Sequence, residues 1–119
     1  MTPKRGDRAA PPPLPDEHDI RFDNGESAKG WEFLARSAPA HLRRAYDTLR
    51  AARPRPAPPT ARHHALRGSL ARADRRGASL EQWQYEVTGG GRTWYLIDDA
   101  GSTLWITYAG TAHPRATDS

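Results

Sequence analysis

The sequence predicts an α+β domain in which two N-terminal helices pack on an antiparallel sheet of three or four strands. Three features support this fold class. The last third of the chain alternates apolar and polar residues, which is typical of half-buried strands. Apolar residues in the first half recur at helical spacing, and a proline-rich segment separates the two regions. A chain of 119 residues suits one domain with a modest core.

The most regular stretch predicts a three-stranded meander. Trp83, Tyr85 and Val87 alternate with polar residues, and the glycines 89–91 follow them. Because glycine adopts positive φ at no steric cost, we expect a tight or bulged turn there. Two more strands are predicted after this turn, at residues 92–98 and 103–108. The meander contains most of the tryptophans and tyrosines and therefore much of the core.

Two helices are predicted before the meander, after a weak strand at Asp19–Asp23. Ser27 is the expected N-cap of the first helix. This helix must end before Pro39, because the residue preceding a proline is disfavoured in the α region. Proline suits the first turn of a helix, so the second helix is expected to begin there. Its apolar stripe consists of Leu42, Ala45, Tyr46 and Leu49.

Three segments are expected to lie outside these elements. Residues 1–17 are rich in proline, arginine and alanine and predict a disordered tail, which leaves residues 18–115 as the domain. Residues 53–60 are dominated by proline and arginine and predict a stiff, extended connector. Residues 71–79 are polar and basic, so we expect an exposed loop there.

Composition narrows the class of protein. The chain has no cysteine, which excludes disulfides and thiolate metal sites and favours a reducing, cytoplasmic location. No apolar run reaches the ~20 residues of a membrane helix, and no secretory signal is recognisable. The net charge is +4, and residues 41–76 contain ten arginines against two aspartates. This basic block predicts a surface that faces a polyanion such as nucleic acid.

Residue spacing argues against two other kinds of site. The five histidines show no H-x-x-x-H or H-E-x-x-H pattern, so we expect neither a metal site nor a small-molecule cofactor. The three glycines at 89–91 join two strands and do not open a helix, which argues against a phosphate-binding loop.

Four short segments follow one another in an informative order: Leu66–Gly68, Trp83–Val87, Arg92–Asp98 and His113–Arg115. Together they resemble the RelE/ParE superfamily of bacterial toxins from type II toxin–antitoxin pairs. In that family a Leu-Lys-Gly segment, an aromatic-rich strand, an Arg-x-x-Tyr-x-Ile-Asp strand and a late basic or histidine-containing segment occur in this order. The resemblance covers residues 19–115.

The resemblance implies a small, metal-independent endoribonuclease that enters the ribosomal A site, cleaves mRNA and so inhibits translation. It also implies a cognate antitoxin that neutralises the toxin. In the family reaction the 2′-hydroxyl of the substrate attacks the adjacent phosphate and leaves a free 5′-hydroxyl. Such a reaction needs a base, positive charge at the phosphate and an acid for the leaving oxygen.

The resemblance also assigns catalytic candidates. Arg92 opens the middle strand of the family motif, and a guanidinium can hold two phosphate oxygens. His113 corresponds to the late acid of the family and has a side chain suited to proton transfer near neutral pH. His63 and His64 lie in the segment where relatives place a base, so either is a candidate base. Glu86 is a second candidate, and alternation puts it on the face of Arg92. Pro114 departs from the family, because some relatives have a tyrosine after the late histidine.

The remaining candidates are RNA-binding residues. Arg62 and Arg67 are expected to contact phosphates, which sets affinity without reading sequence. His63 lies in the same segment and is grouped with them. Trp94 shares the predicted face of Arg92, where an indole can stack on a base or simply pack. Arg115 belongs to the late basic segment.

Two alternatives remain open from the sequence. A ParE-like poison of DNA gyrase would have the same fold and act by binding, without a catalytic acid and base. A degenerate member would be a non-catalytic module that binds nucleic acid or a partner protein.

Overall fold

The computed structural model describes residues 3–9, 12–51 and 59–111. Its helices are α1 (Gly25–Ser37) and α2 (Pro39–Ala51). Its strands, in chain order, are β1 (Asp19–Phe22), β2 (His63–Ala65), β3 (Arg72–Arg75), β4 (Ala78–Glu86), β5 (Arg92–Asp98) and β6 (Thr103–Gly110). A short 3-10 helix, Gly68–Leu70, lies between β2 and β3.

The sheet is six-stranded, in the order β1-β6-β5-β4-β2, with β3 also paired to β4. The two helices and the β4-β5-β6 meander confirm the predicted α+β class. The prediction of three or four antiparallel strands is wrong, because β1 pairs parallel to β6 and the segments around residues 63–65 and 72–75 are strands. Strands of three or four residues are too short to show a clear alternation.

The helix boundaries follow local chemistry. The Asn24 side chain accepts a hydrogen bond of 2.7 Å from the backbone N–H of Ser27, so Asn24 is the N-cap. The predicted N-cap, Ser27, is buried inside the first turn and donates its hydroxyl to the Asn24 carbonyl. The predicted break before Pro39 is confirmed, since α1 ends at Ser37 and α2 begins at the proline.

The core lies between the helices and one face of the sheet. The predicted stripe of α2 is buried there, together with Trp31 and Leu34 of α1. Their partners in the sheet include Tyr95, Ile97, Leu104 and Ile106. Gly30 lets α1 approach β6 closely, because a Cβ on this glycine would stand 1.7 Å from the Ala109 carbonyl oxygen.

The N-terminal segment differs from the expected disordered tail. The backbone of residues 6–9 is hydrogen-bonded to β1 through Gly6, Asp7 and Ala9. Ala9 packs against the core, and the buried His18 donates its backbone N–H to the Arg50 carbonyl. These contacts are long-range, so the proline-rich composition of the segment did not indicate them.

Several expectations fall outside the described residues. Most of the predicted proline connector belongs to residues 52–58, and both His113 and Arg115 belong to residues 112–119. Within the described part of the chain, neither helix has the length and hydrophobicity needed to cross a membrane.

Candidate functional site

The sheet has a second face, which points away from the helices. Cross-strand register gives this face Gln84, Glu86, Arg92, Trp94 and Tyr108, because paired residues project to the same side. The core residues Tyr85, Thr93 and Tyr95 alternate with them and project toward the helices. The predicted common face of Glu86, Arg92 and Trp94 is therefore present in the structure.

One end of the second face is covered by β3. The Arg75 guanidinium lies 3.3 Å from the centre of the Trp105 ring, and its Nε lies 2.9 Å from Asp23 Oδ1. Beneath this cover Leu96 is only 1% exposed, although it does not belong to the helix-side core. The predicted exposed loop at residues 71–79 is thus part of the β3-β4 hairpin, and its Arg75 side chain reaches Trp105 of β6.

The other end of the second face contains a row of polar groups, Arg62, Glu86 and Arg92, that crosses the sheet. Glu86 and Arg92 are direct partners across β4 and β5. On the far side of Glu86, the backbone of Arg62 accepts the Glu86 N–H at 2.6 Å. The Arg62 Nε lies 4.0 Å from Glu86 Oε1. A carboxylate is therefore flanked by guanidinium-bearing residues on both neighbouring segments.

Arg92 is the residue of this row with unused hydrogen-bonding capacity. Its Nε is buried and has no hydrogen-bond partner among the described residues. A buried guanidinium N–H without a partner is costly, so such groups are normally paired. The register partner of Arg92 on β6 is Gly110, which contributes no side chain to cover it. An anionic ligand that reached Arg92 could accept a hydrogen bond from its unpaired N–H.

A layer of aromatic and amide groups supports the row. Trp94 donates its indole N–H to Gln84 Oε1 at 2.8 Å, and its ring meets Tyr108 edge-on with centroids 6.0 Å apart. Only 5% of Trp94 is exposed. In this conformation Trp94 packs within the second face and offers no open ring for a base, which corrects the stacking role suggested by sequence.

The two neighbouring histidines of β2 have opposite surroundings. His64 is half-buried and pairs with Gln84, which puts it on the second face next to the row. His63 is 4% exposed, projects toward the helix side and is hydrogen-bonded through Nε2 to the Tyr95 hydroxyl. Burial, with a smaller contribution from His64, lowers the pKa of His63 to about 4. His63 is therefore a neutral core residue and does not reach RNA.

Arg67 lies away from the row formed by Arg62, Glu86 and Arg92. It precedes the 3-10 helix and is exposed, and the next residue on its N-terminal side, Leu66, bonds to Gln82 of β4. Gln82 lies four residues before Glu86, or roughly 13 Å along the strand at the usual rise per residue. Arg67 can contact only a polyanion that extends beyond the row. The structure gives no position for His113 or Arg115.

Tyr108 is a residue of this face that the sequence did not reveal. Alternation from Leu104 and Ile106 would turn Tyr108 toward the core. A register shift between Trp94 and Tyr95 leaves Thr107 without a β5 partner and turns Tyr108 to the second face. A β-bulge of this kind has no clear signal in one sequence.

The arrangement combines a carboxylate, two guanidinium groups, a half-buried imidazole and a phenol on one face. Such a set can hold an anion and transfer protons. Within the described residues there is no group of three or more histidine, aspartate or glutamate side chains suited to a metal ion. No family model, no curated protein and no solved structure matches the chain.

Proposed function

We propose that this protein is a RelE-like toxin: an endoribonuclease that cleaves mRNA on the ribosome without a catalytic metal and is neutralised by a cognate antitoxin in the cytoplasm. The observation that carries this proposal is the Glu86–Arg92 pair. A carboxylate lies directly opposite an arginine whose buried Nε has no partner in the described chain. The order of sequence motifs supports the same class of protein.

The pair supplies two of the three groups that the reaction needs. Arg92 holds the scissile phosphate and stabilises the charge that develops on its oxygens in the transition state. Glu86 accepts the proton of the attacking 2′-hydroxyl, and the neighbouring Arg62 adds a further positive charge at this end of the face. The products are a 2′,3′-cyclic phosphate and a free 5′-hydroxyl.

The surrounding residues are better suited to binding the RNA than to taking part in the cleavage reaction. Arg62 is largely exposed, and a flexible cation at the end of the row suits a neighbouring phosphate of the message. His64 is half-buried one register step from Glu86, where it can contact the substrate or serve as a second base. Contacts of this kind set affinity and are sensitive to salt.

The test is induced expression in bacteria followed by mapping of mRNA 5′ ends. We expect ribosome-dependent cuts that fall by about 100-fold or more in Arg92→Ala and in Glu86→Gln. Arg36→Ala is the matched control, since this exposed arginine in the last turn of α1 is on the helix side of the sheet. It should cleave like the wild type.

The alternatives give different results. Growth arrest without mRNA cuts, unchanged in Arg92→Ala, would support a gyrase poison and contradict a nuclease. If cells expressing the protein at the same level did not stop growing, the result would support a non-catalytic binding module. An antitoxin is tested by co-expression of the gene next to this one, which should restore growth.

A further inference from the structure

A close approach on β6 fixes the position of the Tyr108 hydroxyl. A Cβ built on Gly110 would stand 2.9 Å from this oxygen and 3.3 Å from the adjacent ring carbon. The hydroxyl therefore occupies the space above Gly110 that a side chain would fill in any other residue. Gly110 is the register partner of Arg92. Cβ positions of such partners are roughly 5 Å apart, so the hydroxyl lies beside Arg92.

The hydroxyl thus extends the polar row by one strand. Glu86 lies on one side of Arg92, in β4, and the Tyr108 oxygen lies on the other side, above β6. Tyr108 is half-buried, so part of its side chain is open to solvent. A carboxylate and a phenol then flank the guanidinium from opposite sides.

We propose that Tyr108 is the general acid of the cleavage reaction, an assignment that rests on the proposed function. A group bound by Arg92 has Glu86 on one side and the phenol on the other, which matches in-line displacement at phosphorus. The O2′–P bond forms as Glu86 takes the 2′-hydroxyl proton. The P–O5′ bond breaks as Tyr108 gives its proton to O5′. Solvent then reprotonates Tyr108 and removes the proton from Glu86.

A substrate with sulfur in place of the bridging 5′-oxygen tests this role. A thiolate leaves without a proton, so removal of a general acid slows only cleavage of the oxygen linkage. The substrate is a synthetic mRNA on purified ribosomes, with the modified linkage at the site that the wild type cuts. We expect Tyr108→Phe to cleave the oxygen linkage about 100-fold or more slowly than the wild type. Its cleavage rate for the sulfur linkage should stay within a few-fold of the wild-type rate.

Glu86→Gln is the matched comparison, because loss of the base should slow cleavage of both linkages. Equal losses of Tyr108→Phe on both linkages, or no loss on either, would overturn the assignment while leaving the nuclease intact. If His113→Ala cleaved the oxygen linkage slowly and the sulfur linkage at a near-normal rate, and Tyr108→Phe did not, the general acid would be His113. Failure of the wild type to cut either substrate would overturn the proposed function itself.

A second variant tests the same oxygen from the backbone side. Gly110→Ala displaces the hydroxyl, and its backbone φ of 156° adds strain, so its folding is checked by thermal denaturation. We expect Gly110→Ala, like Tyr108→Phe, to cleave the oxygen linkage slowly and the sulfur linkage at a near-normal rate. Combined with Tyr108→Phe, it should cause little further loss. Additive losses in the double variant would contradict a shared hydroxyl.

Discussion

At the scale of single residues, His63 shows how strand alternation separates two identical side chains. His63 and His64 are adjacent in β2, yet one lies among Trp83, Tyr85 and Tyr95 and the other lies on the second face. Burial lowers the pKa of His63 to about 4, so its neutral form is the one the fold accepts. Stability should therefore depend on pH through this residue.

The direction of this pH dependence follows from the number of protons that each state binds. An unfolded chain protonates this histidine near pH 6.5, whereas the folded chain does so near pH 4. Between these values the unfolded state holds more protons, so the free energy of unfolding falls as the pH decreases. His63→Gln should remove on the order of 3 kcal/mol of this pH-dependent loss. Urea denaturation at several pH values between 4 and 7 measures it.

His64→Gln is the control for this experiment. Because His64 is half-buried on the other face, this variant should keep most of the pH dependence. Equal slopes for the wild type and His63→Gln would show that other groups control acid stability.

A second prediction at this scale concerns Asp19. Burial by itself would raise the pKa of Asp19, but hydrogen bonds from Arg8 and Arg21 outweigh burial and lower it. The ionised carboxylate thus joins the N-terminal segment to β1, and this contribution is present above the unfolded pKa and is lost as the pH falls through the folded pKa. Asp19→Asn should reduce hydrogen-exchange protection of the Gly6 and Ala9 amides by about 5-fold or more.

Asp16→Asn is the matched control, since Asp16 is exposed and has no hydrogen bond or ion pair in the described chain. It should leave protection of both amides unchanged. Full protection in Asp19→Asn would mean that backbone pairing alone holds the segment.

At the scale of elements, the contact of α1 with β6 depends on the absence of a side chain. A Cβ at Gly30 would overlap the Ala109 carbonyl, so α1 would have to move away from the sheet. Gly30→Ala should destabilise the fold by about 1–3 kcal/mol despite the better helix propensity of alanine. Thermal or urea denaturation at neutral pH measures this change.

Gly25→Ala is the control, because no atom lies within 4 Å of a Cβ at this first residue of α1. It should be neutral or slightly stabilising. Equal stability of both variants would show that α1 tolerates displacement from β6.

The β6 bulge is the element-scale feature on which the candidate site depends. Tyr95 pairs with Ile106, but Trp94 pairs with Tyr108, so one residue is inserted between them. Deletion of Thr107 would remove the bulge and leave Tyr108 opposite Trp94 on the second face, because Tyr108 would then directly follow Ile106, which faces the core. We expect this deletion to lower the free energy of unfolding measured by urea denaturation, because Thr107 accepts a hydrogen bond from Asn24 Nδ2 at 3.1 Å and donates its hydroxyl to Gln82 Oε1 at 2.9 Å.

At the scale of the whole molecule, the N-terminal segment and β1 close the edge of the sheet beside β6. Residues 6–9 add backbone hydrogen bonds to β1, and Ala9 reaches the core. A chain that lacks residues 1–9 should lose about 1–3 kcal/mol of unfolding free energy, since several long-range hydrogen bonds disappear. Urea denaturation of this chain beside the full-length protein checks the prediction, and equal midpoints would contradict it.

Much of the fold was predictable because its signals are local. Alternation located the meander, Pro39 fixed the boundary between the helices, and the same alternation put Glu86 and Arg92 on one face. Arg62, which the sequence proposes as a phosphate contact, lies beside Glu86. These features depend on residues that are close in sequence, where periodicity and proline geometry act directly.

The sequence by itself determined the class of fold, the strands of the meander and which charged groups share a face. Only the tertiary structure decided that β1 runs parallel to β6, that His63 is buried under Tyr95 and that Tyr108 faces outward above Gly110. The physical reason is that these outcomes depend on pairing between segments far apart in the chain. A register shift of one residue reverses the side to which every following residue projects, and no local pattern records that shift.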